Sequence, residues 1–323
     1  MSRPEGLPRP SHREDERNKA ATRIQACLRG HQIREKYAIE SLPAHRLDPH
    51  YPTFVVGNDP CMPESLDRHH EPRQKIALVA TSGMRAVSLA CKLGNKENTP
   101  KIILIDNSLK VHQFWSAMKL FIGDKKQIQT IGQFLQGLLR FLKQHAQLYR
   151  DLPFDTYAQS GPVTVKYLNQ SPVTFFRGLC QKYGFDYVRA VILHTTLIKQ
   201  SWADESLFTK LHHVLNRLGI SKIMVYASNI VACEDDPAIR IEILENIKLL
   251  SPTCAIHTDS CDIHQVPEKA FLFEKEQGPV LVYHSLFRRP SCTNPQFKLY
   301  EWIRSAQEKK GEQQKPDRNH PQK

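Results

Sequence analysis

The residues with the clearest chemical potential lie at the ends of short apolar runs. Ile76-Ala77-Leu78-Val79-Ala80 leads into Thr81-Ser82-Gly83, and Ile102 to Ile105 leads into Asp106. Between them Ala86, Leu89, Ala90 and Leu93 recur at three- and four-residue spacing and stop near Gly94, which reads as one face of a helix. Strand, glycine turn, helix, strand, and an acid roughly twenty residues past the turn is how an α/β sheet sets a carboxylate against ribose hydroxyls. Asp106 is the candidate for that carboxylate, with Thr81, Ser82 and Gly83 facing the same ligand. Tyr226-Ala227-Ser228-Asn229-Ile230 follows another apolar run and offers a second strand end at the carboxyl edge, where Asn229 could hydrogen-bond a ligand or a substrate. Ser228 and Asn229 fit equally well a turn that satisfies its own backbone.

Other constellations carry less. His257, Asp259, Cys261, Asp262 and His264 crowd into eight residues, but zinc sites want a second ligand pair elsewhere, and none presents itself. His69-His70-Glu71 reads as a solvated turn, because neighbouring histidines on an extended chain point to opposite faces. No GxSxG occurs, and neither His194 nor His284 has a recognisable third partner for nucleophilic catalysis. His194 is expected at the end of a buried strand, Tyr187 to Leu193, facing the carboxyl edge of the sheet or satisfied within the core.

Near the start, Ile24-Gln25, Arg29-Gly30, Arg34 and Tyr37 stand at fixed separations. Ala21, Ile24 and Leu28 line one helical face, and Ile33 and Tyr37 extend it among Arg23, Arg29, Arg34 and Lys36. A basic amphipathic helix of this kind suits an apolar groove with an acidic rim. The segment resembles the IQ motif, which implies a helix gripped by calmodulin or a calmodulin-like light chain through Ile24, Gln25, Leu28, Arg29, Gly30, Arg34 and Tyr37. The same residues would also serve a helix docked on its own domain.

These residues need elements to hold them. Val111 to Ile122 reads as a helix, and Gln127 to Tyr149 as a long helix or helix pair. Pro162 to Leu168 reads as a short strand and Phe175 to Tyr183 as a helix. Further along, Glu205 to Leu218 is a helix closed by Gly219, Ile223 to Tyr226 a strand, Pro237 to Leu250 a helix and Cys254 to His257 a strand. Ala270 to Glu274 and Pro279 to His284 make a hairpin around Lys275-Glu276-Gln277-Gly278. Strands alternating with helices predict an α/β protein: a three-layer Rossmann-like sheet, mostly parallel, with a C-terminal antiparallel hairpin. The expected division is a disordered segment 1–17, an IQ helix 18–40, a linker or wrapping arm 41–74, the α/β domain 75–290 and a polar, disordered tail 291–323.

The 323 residues carry a formal net charge of +12. That favours acidic partners, whether protein, RNA or an anionic surface. No stretch interleaves aromatic and basic residues as RNA-binding modules do, so nucleic acid has charge but no motif behind it. The eight cysteines contain no CxxC and several lie in apolar segments, as expected of buried thiols in a reducing cytoplasm. The start lacks an apolar leader and no apolar run approaches membrane-spanning length, so no transmembrane segment is expected.

The layout from 75 to 287 resembles class I S-adenosylmethionine-dependent methyltransferases. The resemblance implies S-adenosylmethionine as cofactor, with Asp106 on the ribose and Thr81-Ser82-Gly83 by the methionine portion. Ser228-Asn229-Ile230 is similar to a strand end of enzymes related to aminocarboxypropyl transferases, so either methyl or aminocarboxypropyl transfer to an unidentified acceptor is implied. The chain departs from the pattern in one place. The acidic, glycine-rich loop is replaced by a single glycine, Gly83, followed by Met84-Arg85. Glycines let backbone approach a ligand closely, so their loss narrows the pocket or changes the pose. A domain that has lost its chemistry and serves as a calmodulin-binding scaffold fits that loop. An IQ helix joined to a fold familiar from bacterial metabolism would, for a bacterial chain, imply an effector acting in the cytosol of a eukaryotic host, and an ordinary eukaryotic cytosolic protein accounts for the same residues.

Overall fold

The computed structural model describes residues 39–56, 66–67, 69–70, 73–81, 83–124, 126–150, 159–160, 171–258, 269–274 and 278–285. The IQ residues, the segments 1–17 and 291–323, Ser82, the strand expected at Pro162 to Leu168, and Asp259 to His264 lie outside them. The chain divides into two compact units, Met1–Glu40 and Ser41–Lys323. Of the first, only Ile39 and Glu40 are described.

In the second unit the sheet runs from β2 (Ile76–Ala80), β3 (Lys101–Asp106), β6 (Thr196–Lys199), β7 (Lys222–Ser228) and β8 (Cys254–Thr258) to the hairpin β9 (Lys269–Glu274) and β10 (Gly278–Ser285). The short strand β5 (Gln159–Ser160) pairs on the far side of β10. Spatial order is β5-β10-β9-β8-β7-β2-β3-β6, with every contact from β8 to β6 parallel and the hairpin antiparallel. The parallel strands are thus ordered as in a doubly wound sheet, and the order reverses at β2, between β3 and β7. The fold is Rossmann-like α/β, as the alternation of elements predicts.

Helices cover both faces. On one lie α1 (Arg85–Leu93), α2 (Leu109–Gly123), α3 (Ile131–Gln144), α4 (Pro172–Tyr183) and α5 (Phe185–Leu193), whose apolar stripes meet Ile76, Leu78, Ala80, Ile102, Leu104, Met224, Tyr226 and Ile256 in one core. Alternate residues of the same strands, Ala77, Val79, Ile103, Ile105, Ile223, Val225 and Ala255, are equally buried and point to the other face. That second layer comprises α6 (Glu205–Arg217), α7 (Ile230–Cys233) and α8 (Pro237–Leu249), with α6 packed on α8. Starts are fixed by side-chain caps. Ser108 accepts from Val111 N at 3.4 Å, Asp204 from Leu207 N at 3.3 Å, and Thr130 forms a reciprocal box with Gln133 at the head of α3.

Three expectations are corrected. Tyr187 to Leu193 is not a strand but the body of α5. Its buried apolar residues fall at Tyr187, Val188, Val191 and Ile192, a helical stripe that a short apolar run does not distinguish from a strand. Gly184, at φ +87°, ends α4 and starts α5, and the strand follows at Thr196–Lys199, too short and mixed to announce itself. His194 consequently caps the C-terminus of α5 and is exposed, so it faces no strand end. His69 is not solvated: it is buried, and its carbonyl accepts from Lys222 Nζ at 2.8 Å. His70 is exposed, as a turn requires, with Nδ1 3.0 Å from Lys92 O.

Between residues 41 and 56 the chain is bonded to the sheet and its loops, and this segment is called the arm below. Leu42 N donates to Lys199 O at 2.7 Å, Asp48 N to Asn107 O at 2.9 Å, and Leu109 N to Asp48 O at 2.9 Å. Within the same segment, β1 (Thr53–Phe54) pairs in parallel with β4 (Tyr149–Arg150).

Candidate functional site

A cavity of about 320 Å³ lies outside the carboxyl ends of the parallel strands, at the point where their order reverses. Crevices there form because the loops leaving β2 and β7 turn to opposite faces of the sheet. Thr81 N donates to Tyr226 O at 3.1 Å, so the two strand ends are tied together where they part.

Each wall comes from a different element. Thr81, Gly83 and Arg85 come from β2 and the head of α1, Asp106 and Asn107 from the end of β3, and Gln200, Ser201 and Trp202 from the loop after β6. Ser228, Asn229 and Ile230 follow β7, while Ile239 and Ile243 of α8 form an apolar floor. The arm supplies the remaining side through Asp48, Tyr51 and Phe54. Of the candidates named from sequence, Thr81, Gly83, Asp106, Ser228 and Asn229 are therefore gathered around one space. The arm residues, Trp202 and Arg85 are additions.

Asp106 is the last residue of β3 and is partly buried. Its Oδ1 accepts from Ser108 N at 2.8 Å, and its backbone carbonyl accepts from His112 Nε2 at 2.8 Å and Gln200 N at 3.2 Å. Burial pushes its carboxyl pKa up to about 7; the Ser108 N–H pulls down and nearby Asp48 pushes up, both less strongly. The carboxyl is thus poised to accept hydrogen bonds when ionised and to hold a proton when alone. Burial also lowers the pKa of His112 beside the site, against the smaller upward pull of its bond to the Asp106 carbonyl.

Ser228 adopts φ +52°, the left-handed region that a side chain enters at a cost of about 1–2 kcal/mol. A register shift against β8 falls at the same place, between Tyr226 and Ser228. The distortion brings Ser228 and Asn229 to the cavity. Ser228 Oγ donates to Asn229 Oδ1 at 3.3 Å, while the buried Nδ2 of Asn229 has no partner among the described residues. An amide nitrogen oriented by its own oxygen and left with unused donors is what a ligand acceptor would satisfy.

The other walls are fastened from behind. Trp202 Nε1 donates to Ile105 O at 3.0 Å, and Asn246 Nδ2 of α8 donates to Trp202 O at 2.9 Å. On the arm, Tyr51 and Phe54 meet edge to face with centroids 6.0 Å apart, and Ser108 Oγ bonds the Tyr51 carbonyl. Gly83 does not owe its presence to crowding within the protein. A methyl there would meet nothing nearer than Phe54 O at 3.6 Å, an ordinary contact.

Arg85 is the residue that sequence reading passed over. It is 2% exposed, with its guanidinium carbon 5.7 Å from the Phe175 ring centroid. A signal was present: Arg85, Leu89 and Leu93 are spaced by four, so an arginine begins the buried stripe of α1. The arm residues gave none, because Asp48, Tyr51 and Phe54 sit in irregular, proline-punctuated chain.

His257, the described member of the crowded ligand-type segment, is buried on β8, where burial lowers its pKa to about 4. Among the described residues no cluster of three or more His, Cys, Asp or Glu is disposed to hold a metal ion, and no helix is long and apolar enough to cross a membrane. Comparison with known protein families and with curated proteins finds no match to this sequence. The protein is a Rossmann-like α/β protein with a polar-and-aromatic cavity at its switch point.

Proposed function

We propose that the protein is an S-adenosylmethionine-binding transferase, of methyl or aminocarboxypropyl groups, that binds calmodulin through its N-terminal IQ motif. The observation behind the first half is the convergence of Thr81, Gly83, Asp106, Ser228 and Asn229 on one cavity at the switch point. The residues fit an adenosyl ligand. Asp106 is a carboxylate acceptor for a ribose diol, Asn229 has unused amide donors, and Tyr51, Phe54, Trp202 and Tyr226 supply aromatic surface. When bound, S-adenosylmethionine supplies the electrophilic carbon of the transfer. The chain's own residues orient that carbon, exclude water with the aromatic walls and keep Asp106 ionised through the hydroxyls it accepts. No acid–base dyad is needed for such a reaction.

The second half rests on the fixed positions Ile24, Gln25, Arg29, Gly30, Arg34 and Tyr37 and the basic amphipathic face around them. A cytosolic location goes with it, that of a host cell if the chain is a secreted bacterial effector.

Calorimetric titration of the full chain with S-adenosylmethionine, with and without calmodulin, tests both halves. Saturable binding lost in Asp106→Ala supports the transferase, and calmodulin binding lost in Ile24→Ala/Arg29→Ala supports the IQ reading. One observation favours a second reading, a calmodulin-binding scaffold without chemistry: the loop after β2 carries one glycine and then the fully buried Met84. No heat with the nucleoside while calmodulin still binds would establish the scaffold and overturn the enzyme.

A further inference from the structure

Where a glycine-rich loop would bring backbone against the ligand, this chain brings a guanidinium. Arg85 opens α1, lines the cavity and is 2% exposed. Arginine keeps its charge at any working pH, so burial here desolvates a full cation. Its position adds to that cost. The N-terminus of a nine-residue helix carries partial positive charge and disfavours another cation. The stack on Phe175 offsets part of this and holds the guanidinium plane. At that helix start Arg85 lines the cavity. Asp106 stands at the end of the neighbouring strand β3. The cavity is thus lined by a guanidinium-bearing residue at the head of α1 and by a hydrogen-bond acceptor at the end of β3. A ligand complementary to both carries an anionic carboxylate at one end and hydroxyl donors at the other.

We infer that Arg85 is a specificity-determining residue: its guanidinium receives the carboxylate of an amino-acid tail on an adenosyl ligand, and the site discriminates against nucleosides that lack that carboxylate. This rests on the adenosyl-binding reading above and assigns to a side chain the contact that glycine backbone would otherwise make. Nδ2 of Asn229, without a partner among the described residues, is a second donor on the same cavity.

Two unreactive thioether nucleosides separate the possibilities: S-adenosylhomocysteine, which has the tail, and 5′-methylthioadenosine, which lacks it. Their affinities are measured by calorimetry on the full chain, on Arg85→Met and on Arg85→Lys, with melting curves for each. The wild type is expected to prefer the tailed nucleoside by about tenfold or more, as a charge-assisted contact would give. Arg85→Met brings that ratio to about one. Arg85→Lys keeps the charge, loses the planar fork and lowers the ratio to roughly a third or less of the wild-type value. If Arg85→Met does not fold, the wild-type ratio and the lysine variant decide the matter. Equal wild-type affinities, or a ratio unchanged in a folded variant, overturn the role of Arg85 while leaving adenosyl binding standing. Failure of both nucleosides to bind the wild type overturns the adenosyl reading and this inference with it.

Discussion

Asp106 would tie the proposed adenosyl binding to a proton. In the folded protein its carboxyl titrates at about 7, against 3.8 for the unperturbed group. Between those values the native state holds a proton that the unfolded chain has released, so this residue's contribution to stability falls as pH rises from 4 to 7. Asp106→Asn removes the buried charge and is expected to melt above the wild type at pH 8 and close to it at pH 4. Hydroxyl donors favour the ionised form, so an adenosyl ligand should bind more tightly at pH 8 than at pH 6 and should expel a proton near pH 7. Calorimetry in buffers of different ionisation enthalpy reads that proton. A binding heat that does not depend on the buffer would show that Asp106 is not the acceptor. His257 acts in the opposite sense: its imidazole titrates at about 4 when folded and takes up a proton on unfolding below its ordinary 6.5. The stability it contributes is present above 6.5 and is lost as pH falls toward 4.

At the scale of elements, legibility followed burial on both faces. Strands β2, β3 and β7 each contain an unbroken apolar run, Ile76 to Ala80, Ile102 to Ile105 and Ile223 to Val225, and Gly83, Asp106 and Asn229 stand at or just past their ends, so their existence and their cavity-lining ends were readable together. The edge strand β6 was not, because only Ile198 of its four residues is buried and nothing alternates strictly. The neighbouring run in α5 is more apolar and drew the assignment to itself. Arg189 lies within that run, and its Nε donates to Ile122 O at 2.7 Å, a polar tether that period alone does not reveal. The stop of α1 is testable. Gly94 follows the helix, and a methyl there would fall 2.6 Å from Asn98 O and against the Pro100 ring. Gly94→Ala should therefore cost about 1–3 kcal/mol in urea unfolding, as overpacked sites do. A variant within experimental error of the wild type would mean that the 95–100 turn yields easily.

At the scale of the molecule, the boundary between compact units falls after Glu40, and the arm belongs to the unit that carries the cavity. The arm could not be read from sequence as a wall of the site, since it contributes through backbone bonds and three scattered side chains. Its contact with β6 matters apart from the cavity. β6 ends the sheet, and an edge strand presents unpaired backbone groups on which another chain can build. Leu42 N occupies Lys199 O on that strand, while Lys199 itself and Thr196 turn exposed polar side chains outward. The arm is thus a selvedge: it finishes a border that would otherwise fray into intermolecular pairing. A chain starting at residue 57 should self-associate in a concentration-dependent way by light scattering, whereas one starting at residue 41 should stay as dispersed as the full protein.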